Sequence, residues 1–440
     1  MQKVNSFTRE QKKILILSSL GGVLEYYDFI IYIFFAHIIE KLFFAESSAY
    51  VATLKTLAIF SIGYLLRPLG GILFSHFGDR YGRKVVFLLT VLFMAIPSLA
   101  IGLLPTTAQI GTLAPLLLLL FRMMQGLALG GEIPAAITFV SEHVPGSRRS
   151  FALSTLFWGI NMGLMLGSGV TTVMSSLFSE TALLAYGWRI PFILGGFFGL
   201  GSLYVRRHLQ ETAAFKSLQQ QEVHRVPLAF LLKYSFKNVI KGMFIVAVSS
   251  VSVFLYLYWP QYLHQYLHYA FAQTMQINTM GTFILSFTIL LGGVFSDRVG
   301  YRVVYLIATG GLVVLTYPLF VLFTLDNFAW VVFSYAIFSL IFGFLPAAYS
   351  VMLSDLFSIS VRYTGIAMSY NLAFALFGGL SPLICTIAIH VFDSVLAPAI
   401  YLTIMAALSF GVCYFDKKKG NIVCDTSREV SFNLLGESHD

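Results

Sequence analysis

The sequence FGDRYGRK, residues Phe77–Lys84, lies between two long apolar stretches and recurs as FSDRVGYR at Phe295–Arg302. A second pair of similar sequences follows the first at a matching place: PAAITFVSE at Pro134–Glu142 and PAAYSVMLSD at Pro346–Asp355. In both copies, arginine comes shortly afterwards, before the next apolar stretch. Three matching features in the same order indicate that the chain consists of two repeated halves, as in transporters with parallel repeats.

The chain is far more apolar than a soluble protein. Of its 440 residues, 58% are hydrophobic and 11% are charged, whereas soluble domains carry roughly 25% charged residues. A helix needs about 20 apolar residues to cross a bilayer. The sequence therefore predicts an all-α membrane protein with twelve transmembrane helices in two pseudo-symmetric six-helix bundles. In order, the predicted spans are residues 14–37, 51–75, 85–104, 114–141, 150–174, 186–205, 238–260, 274–295, 303–324, 328–353, 363–390 and 395–415.

Positive charge is concentrated on one predicted side of the membrane. With the N-terminus inside, the segments predicted to be cytoplasmic hold all but five of the 28 Lys and Arg residues. Cytoplasmic segments of membrane proteins carry an excess of these residues, so both termini are predicted to be cytoplasmic. Topology thus explains the net charge of +8, and we expect no nucleic-acid partner. The five other basic residues are Lys41, Lys55, Arg67, Arg122 and Arg189.

Polar stretches divide the chain into four parts. We expect an N-terminal six-helix bundle at residues 1–205 and a C-terminal six-helix bundle at residues 238–415. The segment 206–237 is predicted to be a cytoplasmic linker with a short amphipathic helix, and the polar tail, 416–440, is predicted to be disordered. The first apolar stretch is longer than the core of a signal peptide, so we expect it to remain as a span.

Two carboxylates, Glu25 and Asp28, lie in the middle of the first predicted span. Their spacing of three residues puts both on one face of a helix. An ionisable residue at membrane depth is costly and by default suggests a functional site. Because two neighbouring carboxylates in a low dielectric are not readily ionised together, the pair predicts a proton-accepting site.

Seven short motifs are distinctive in composition: LEYYDF (Leu24–Phe29), RPLGG (Arg67–Gly71), GDRYGRK (Gly78–Lys84), RMMQGLALGGE (Arg122–Glu132), GWRIPF (Gly187–Phe192), RRHLQETAAF (Arg206–Phe215) and RYTGIAMSYNLAFALFGGLSP (Arg362–Pro382). With them, the chain resembles the major facilitator superfamily and, within it, the metabolite:proton symporter family. That family includes carriers of proline and betaine, α-ketoglutarate, citrate and shikimate. The resemblance implies twelve helices, a bacterial inner membrane location, and proton-coupled uptake by alternating access.

By this resemblance, Asp28 and Arg122 are the first candidates for proton coupling. In related sugar carriers, an Asp of span one and an Arg of span four exchange partners as the proton binds. Arginine favours an ionised Asp and burial favours a neutral one, so a movement that separates Asp28 from Arg122 would load a proton. Glu25 is the alternative proton site. A static buried ion pair that only holds helices together is the alternative role for the pair.

The candidate substrate-binding residues are polar or aromatic residues inside the predicted spans. A guanidinium suits bidentate recognition of a carboxylate, which makes Arg122 the better candidate and Arg67 the second. An aromatic box of Tyr256, Tyr258 and Trp259 would suit a quaternary ammonium, although Tyr and Trp near a span end are also common interfacial anchors. The alternative role for Arg67 is a structural pair with a carboxylate of the first half, and that for the other polar residues is interhelical hydrogen bonding. The remaining candidates are Glu25, for a substrate ammonium, and Glu132, Tyr370 and Asn371.

The repeated motifs predict a gate at the cytoplasmic side, with charges that only set the topology as the alternative. Asp79 precedes a helix start and is able to accept hydrogen bonds at another helix N-terminus, which the resemblance places near Arg362–Gly365. Arg83 is expected to pair with Glu142. This chain has Tyr301 where the family usually has arginine, so we expect a less firmly held gate on that side. The predicted gate residues are Asp79, Arg80, Arg83, Glu142, Arg148, Asp297, Arg298, Asp355 and Arg362.

Together these features predict a monomeric, proton-driven symporter that imports a small zwitterionic or carboxylate-bearing solute, similar to proline or betaine. The alternatives are a proton-coupled transporter of di- or tricarboxylates and a membrane solute sensor with a transporter-like fold. We expect no enzyme, because the short soluble segments contain no nucleophile–base constellation, metal cluster or phosphate-binding loop. The expected partners are the solute, protons and the lipid bilayer, with the proton as coupling ion and no other cofactor.

Overall fold

The computed structural model describes residues 7–45, 47–81, 83–207, 231, 233, 235–325, 327–358 and 361–416. Most of the predicted linker and nearly all of the predicted tail lie outside these ranges, within which the regular structure is helical throughout. Short segments of 3₁₀-helix (Gly146–Arg148) and π-helix (Leu183–Gly187 and Phe374–Gly378) accompany the α-helices. In chain order the α-helices are α1 Arg9–Phe34, α2 Ala36–Phe43, α3 Ala49–Leu65, α4 Arg67–Tyr81, α5 Arg83–Leu103, α6 Thr107–Ile110, α7 Leu113–Leu129, α8 Glu132–His143, α9 Arg149–Leu177, α10 Glu180–Ala182, α11 Arg189–Arg207, α12 Phe236–Tyr266, α13 Phe271–Val299, α14 Tyr301–Phe323, α15 Phe328–Gly343, α16 Leu345–Leu356, α17 Arg362–Ala373, α18 Ser381–Phe392 and α19 Ala397–Phe415.

The apolar stretches form helices that are long enough to cross a membrane. Among the described residues, nine helical stretches qualify by length and composition, and a tenth qualifies if the bent pair Glu180–Gly187 and Arg189–Gly201 is one span. The prediction of an all-α, multi-pass membrane protein is therefore confirmed. Helices α1 and α5 coincide with predicted spans one and three but are not among the nine, so the number of twelve spans stays a prediction.

Two of the predicted spans are interrupted where functional candidates lie. Span two breaks at Leu66, immediately before Arg67 and Pro68, because proline has no backbone N–H and fits best in the first turn of a helix. Span four breaks at Gly130–Gly131. A break leaves carbonyl groups without helical partners. One of them, the carbonyl of Gly130, accepts a hydrogen bond of 2.5 Å from Asn371 Nδ2.

Glycines bring α3 and α4 into direct backbone contact with α7. A Cβ added to Gly126 would overlap the carbonyl of Gly63, and a Cβ added to Gly70 would overlap the carbonyl of Leu127. Small residues permit this close approach between membrane helices. The motifs RPLGG and RMMQGLALGGE therefore fix the spacing between the two helices that carry the buried arginines.

The helices before residue 208, α1–α11, are here called the first helix set, and those after residue 235, α12–α19, the second helix set. Contacts between the sets join α9 to α13, α1 to α12, α3 to α18 and α8 to α17. Along α9 and α13, Asn161 Nδ2 donates to Ser286 Oγ (2.7 Å) and to the Thr282 carbonyl (2.9 Å). Ser168 Oγ lies 2.8 Å from Thr279 Oγ1 on the same pair of helices. Along this stretch the two helices are thus joined by neutral hydrogen bonds.

Candidate functional site

A small cavity of about 40 Å³ lies between the two helix sets. This volume is on the order of one or a few water molecules. Of the described residues that line it, the majority are aromatic, and none is charged. The aromatic residues are Tyr26 and Phe157 from the first helix set and Phe342, Tyr349, Tyr370 and Phe374 from the second.

Arg67 lies beside this cavity, with only 1% of its surface exposed. The centre of its guanidinium is 5.3 Å from the ring centroid of Phe374 and 5.7 Å from that of Tyr370, and both rings line the cavity. Its Nε and Nη2 atoms have no hydrogen-bond partner. No carboxylate of the described residues forms an ion pair with it. A buried charge without an ion pair is costly, so this guanidinium, which has none among the described residues, is suited to bind an anion that enters the cavity.

Arg122, the other buried arginine, has a different environment. Its Nη1 donates to the carbonyl of Phe29 (3.2 Å) and to Gln125 Oε1 (2.8 Å). Its guanidinium stands over the rings of Phe29 and Tyr32, at 4.1 and 4.6 Å from their centroids. Arg122 is therefore held within the first helix set and is not among the residues that line the cavity.

Asp28 is almost fully buried in the same part of the first helix set, and neither carboxylate oxygen has a hydrogen-bond partner that meets normal geometry. Gly195 of α11 lies directly against it, since a Cβ there would overlap Oδ1. Ser98 lies next to the carboxylate and accepts a hydrogen bond of 2.6 Å from Gln125 Nε2. A chain of polar groups thus leads from Arg122 through Gln125 and Ser98 to Asp28. In the described structure the two predicted partners form no direct ion pair.

The other polar candidates occupy varied positions. Asn371 joins the two helix sets through its bond to the Gly130 carbonyl. Glu132 begins α8 directly after the break in span four and is half-buried. The side chain of Glu25 lies outside the described part of the chain.

The aromatic box predicted in span seven does not line the cavity. The Tyr256 ring packs against Trp259 and Tyr335, which also belong to the second helix set. The hydroxyl groups of Tyr256 and Ser339 share a hydrogen bond of 2.6 Å. Tyr258 pairs with Thr386 in the same way, at 2.8 Å. The aromatic cavity lining comes from other helices. The spacing of four residues between Tyr370 and Phe374, which puts two rings on one helix face, is the signal in the sequence that indicates part of it.

At one end of the bundle, charged residues connect the two sets; we call it the Asp355 end. Arg149 Nη2 lies 2.7 Å from Asp355 Oδ1, and Arg362 Nη1 lies 3.3 Å from Glu142 Oε1. Asp355 Oδ2 also accepts a hydrogen bond of 2.8 Å from the hydroxyl of Tyr301. The arginine that contacts Asp355 is thus Arg149, which is not among the predicted gate residues. Arg148, which is one of them, stands over the ring of Phe7 in the N-terminal segment.

Asp297 caps a helix of the opposite set at this end. Its two carboxylate oxygens accept hydrogen bonds from the backbone N–H groups of Ser150 (2.9 Å) and Phe151 (3.0 Å), at the start of α9. A carboxylate at a helix N-terminus is favourable because the partial positive charge gathers there. This is the interaction that the sequence predicted for Asp79 in the other repeat. Arg298 is exposed, and the side chains of Asp79, Arg80 and Arg83 lie outside the described part of the chain.

The opposite end of the bundle, which we call the Glu40 end, is also closed by contacts between the sets. Gln261 Nε2 donates to Glu40 Oε1 at 2.7 Å, and Gln265 Nε2 donates to Thr53 Oγ1 at 3.2 Å. The aromatic cavity therefore lies between two ends at which described residues of the two helix sets are in contact.

Comparison with known proteins gives consistent results. The family model described as Major Facilitator Superfamily matches residues 18–382. The chain is 32% identical over 446 residues to the glycine betaine/proline/ectoine/pipecolic acid transporter of Dickeya dadantii, covering 98% of this chain and 89% of that protein. It is 31% identical over 446 residues to the proline/betaine transporter of Salmonella typhimurium, again covering 98% and 89%. In fold, it is similar to the crystal structure of a D-xylose–proton symporter, with a TM-score of 0.73 at 16% identity over 90% of this chain and 97% of that one.

Proposed function

The chain belongs to the major facilitator superfamily, and we propose that it is a proton-coupled symporter that imports a small zwitterionic solute of the proline/betaine kind by alternating access. The names of the two relatives, proline and betaine transporters, support this solute class. Support from within the molecule comes from one observation above all: the buried guanidinium of Arg67, without an ion-pair partner among the described residues, beside an aromatic cavity between the two helix sets.

The chemistry of the cavity favours a zwitterion with one carboxylate. Arg67 offers a planar donor fork to that carboxylate. The faces of the cavity aromatics suit the positive end, because a cation over an aromatic ring is stabilised electrostatically. No carboxylate of the described residues lines the cavity, so a solute with two or three carboxylates would place extra negative charge where one guanidinium alone is available. A di- or tricarboxylate is therefore the less favoured substrate.

The contacts at the two ends support alternating access. In our proposal, the Asp355 end faces the cytoplasm, since it holds the repeated motifs and the basic residues that favour the inner side. The ion pairs there open when the solute leaves, and the hydrogen bonds at the Glu40 end open when it enters. Twelve spans, cytoplasmic termini, two six-helix bundles, a monomeric state and a bacterial inner membrane location belong to the same proposal. A solute sensor has less need of interactions that close both ends.

We assign the proton to Asp28. Its carboxylate lies away from the cavity lining, so the proton and the solute have separate sites. Ser98 and Gln125 connect Asp28 to Arg122, and the helix that carries Arg122 packs through glycine against the helix pair that carries Arg67. A rearrangement around Asp28 on protonation would thus be transmitted to the solute site through directly packed helices.

Uptake by purified protein in proteoliposomes tests the proposal. The solutes are labelled glycine betaine, proline, α-ketoglutarate and citrate, each with and without an inward proton gradient. We expect gradient-dependent accumulation of betaine or proline and none of citrate. Accumulation of citrate alone would overturn the proposed solute class. Saturable binding of betaine or proline without gradient-dependent accumulation of any solute would overturn symport and favour a sensor.

A further inference from the structure

A second cavity, of about 330 Å³, opens at the Glu40 end. It shares no lining residue with the aromatic cavity and contains contributions from both helix sets. We call it the vestibule; the residues that line it and are used here are Tyr50 from the first set and Gln265, Tyr266, His390, Asp393 and Ser394 from the second. Its volume lies in the range of about 300–1,000 Å³ that is typical of small-molecule sites.

The vestibule lies directly above the contacts that close the Glu40 end. Gln265, one of its lining residues, donates to Thr53 of the first helix set at 3.2 Å. Deeper in the same interface, the rings of Tyr64 and Phe254 meet at 4.3 Å between centroids. A solute that approaches from this end therefore reaches the vestibule before those contacts open.

The vestibule has the chemistry of a cation site. Asp393 supplies a carboxylate that forms no ion pair within the described part of the chain. Aromatic rings line the same cavity: Tyr266 is one of them, and the Tyr50 ring stacks with one face on the His390 ring at 4.0 Å between centroids. Neither Lys nor Arg is among the described lining residues. A carboxylate next to aromatic rings attracts an ammonium group through charge and through the ring faces.

We propose that the vestibule is a docking site for the ammonium end of the zwitterionic solute, which binds between Asp393 and the rings of Tyr50 and Tyr266 before it passes inward. This inference rests on the proposed function for the identity of the solute. It adds a site that is separate from the aromatic cavity and is available while both ends of the transport pathway are closed.

Asp393→Asn is the informative variant. Asp393 has a φ of 47°, in the left-handed region, which Asn adopts about as readily as Asp, so the substitution removes the charge and keeps the turn. We expect the KM for external glycine betaine to rise about fivefold, the loss of one modest cation contact, with the maximal rate unchanged. Glu180→Gln is the matched control, because Glu180 is an exposed carboxylate at the same end that pairs with Lys41 outside the vestibule. An Asp393→Asn protein with the KM of the control would overturn the proposal.

A second measurement does not depend on transport. Ser394→Cys, in a background whose three native cysteines are replaced, is labelled with a membrane-impermeant maleimide, with and without glycine betaine. We expect betaine to slow the labelling. The same protection is expected in Arg67→Ala, which removes the contact to the carboxylate of the solute in the aromatic cavity. Asp393→Asn is expected to abolish the protection.

The two measurements separate the two proposals. Protection without uptake would contradict the proposed symport and support the vestibule site. Uptake without protection would support symport and overturn the vestibule site.

Discussion

Arg149 Nη2 and Asp355 Oδ1 lie 2.7 Å apart and join the two helix sets at the Asp355 end. The second oxygen of the same carboxylate is occupied by the hydroxyl of Tyr301, a neutral donor from its own helix set. Asp355 therefore has its one cationic partner, among the described residues, on the opposite set. From the sequence, Tyr301 is expected to weaken the gate. In the structure it is a neutral partner of Asp355, so the charge of Asp355 is paired with Arg149, the contact that closes this end.

Asp355→Asn is expected to loosen this end. Ser141 Oγ lies 2.8 Å from Ser354 Oγ across the same interface, so Ser141→Cys reports its opening through the rate of maleimide labelling. Loss of a half-exposed ion pair is worth about 1 kcal/mol, or roughly fivefold in the open fraction. Tyr301→Phe removes a bond within one helix set and is expected to change the labelling much less. Unchanged labelling in Asp355→Asn would show that the ion pair does not hold the gate.

Arg67→Lys tests the solute contact. Lysine keeps the positive charge but loses the planar donor fork, so the KM for betaine or proline should rise by about tenfold or more, with protein folding preserved. Arg189→Lys is the control, since Arg189 is half-buried and its bonds go to the backbone carbonyls of Gly102 and Leu104. Wild-type KM in Arg67→Lys, measured by initial uptake rates, would contradict our assignment of Arg67 to the carboxylate.

Phe374→Leu tests the aromatic lining. It keeps an apolar side chain but removes a ring face, so uptake of glycine betaine should fall more than uptake of proline, whose ammonium is a hydrogen-bond donor. A loss of about 0.5–2 kcal/mol per cation–ring contact corresponds to roughly two- to thirtyfold. The control is Phe283→Leu, an exposed ring outside the cavity. Equal effects on the two solutes would show that the ring only fills space.

Asp28→Asn tests proton coupling. The amide is unable to take up and release a proton, so accumulation driven by an inward proton gradient should be lost. Exchange of labelled for unlabelled solute across the membrane should persist, because exchange requires no net proton transfer. Glu180→Gln, which changes an exposed carboxylate, should leave both activities intact. Gradient-driven accumulation by Asp28→Asn would place the proton elsewhere, with Glu25 as the next candidate.

Gly126→Ala tests the close contact between α7, which carries Arg122, and α3, which precedes the helix that carries Arg67. A methyl group at this position would overlap the carbonyl of Gly63, and overpacking of this kind costs about 1–3 kcal/mol. We therefore expect a lower melting temperature in detergent. Gly169→Ala is the control, because a Cβ there meets no atom within 4 Å. Equal melting temperatures for the two variants would show that the backbones move apart at little cost.

The sequence predicts the helical membrane fold well because span length and apolar composition are local properties of the chain. It also predicts that Asp28, Arg67 and Arg122 are special, because charge at membrane depth is rare. It does not predict which side chains meet. The choice between Arg148 and Arg149 at the gate depends on the rotation of one helix by about 100°, and no single sequence contains that rotation.

The aromatic cavity shows the same limit. Aromatic residues are abundant, with 42 Phe and 23 Tyr in the chain, so a cluster along one span says little about its surroundings. The cavity lining is assembled from several helices of both sets, and only their packing brings Tyr26 and Tyr370 to one space. The predicted box around Tyr256 instead fills the interior of the second set.

The small volume of the aromatic cavity has a consequence for the proton gradient across the membrane. The cavity has space for a few water molecules, is lined mainly by rings and lies between two ends where described residues of the helix sets meet, so the cavity itself has no room for a file of water long enough to span a membrane. In the proposed symport, an empty carrier in this state would therefore conduct no protons, and the membrane would keep its proton gradient when no solute is present. Under the same proposal, the gradient discharges only together with solute movement, so each proton that crosses does transport work.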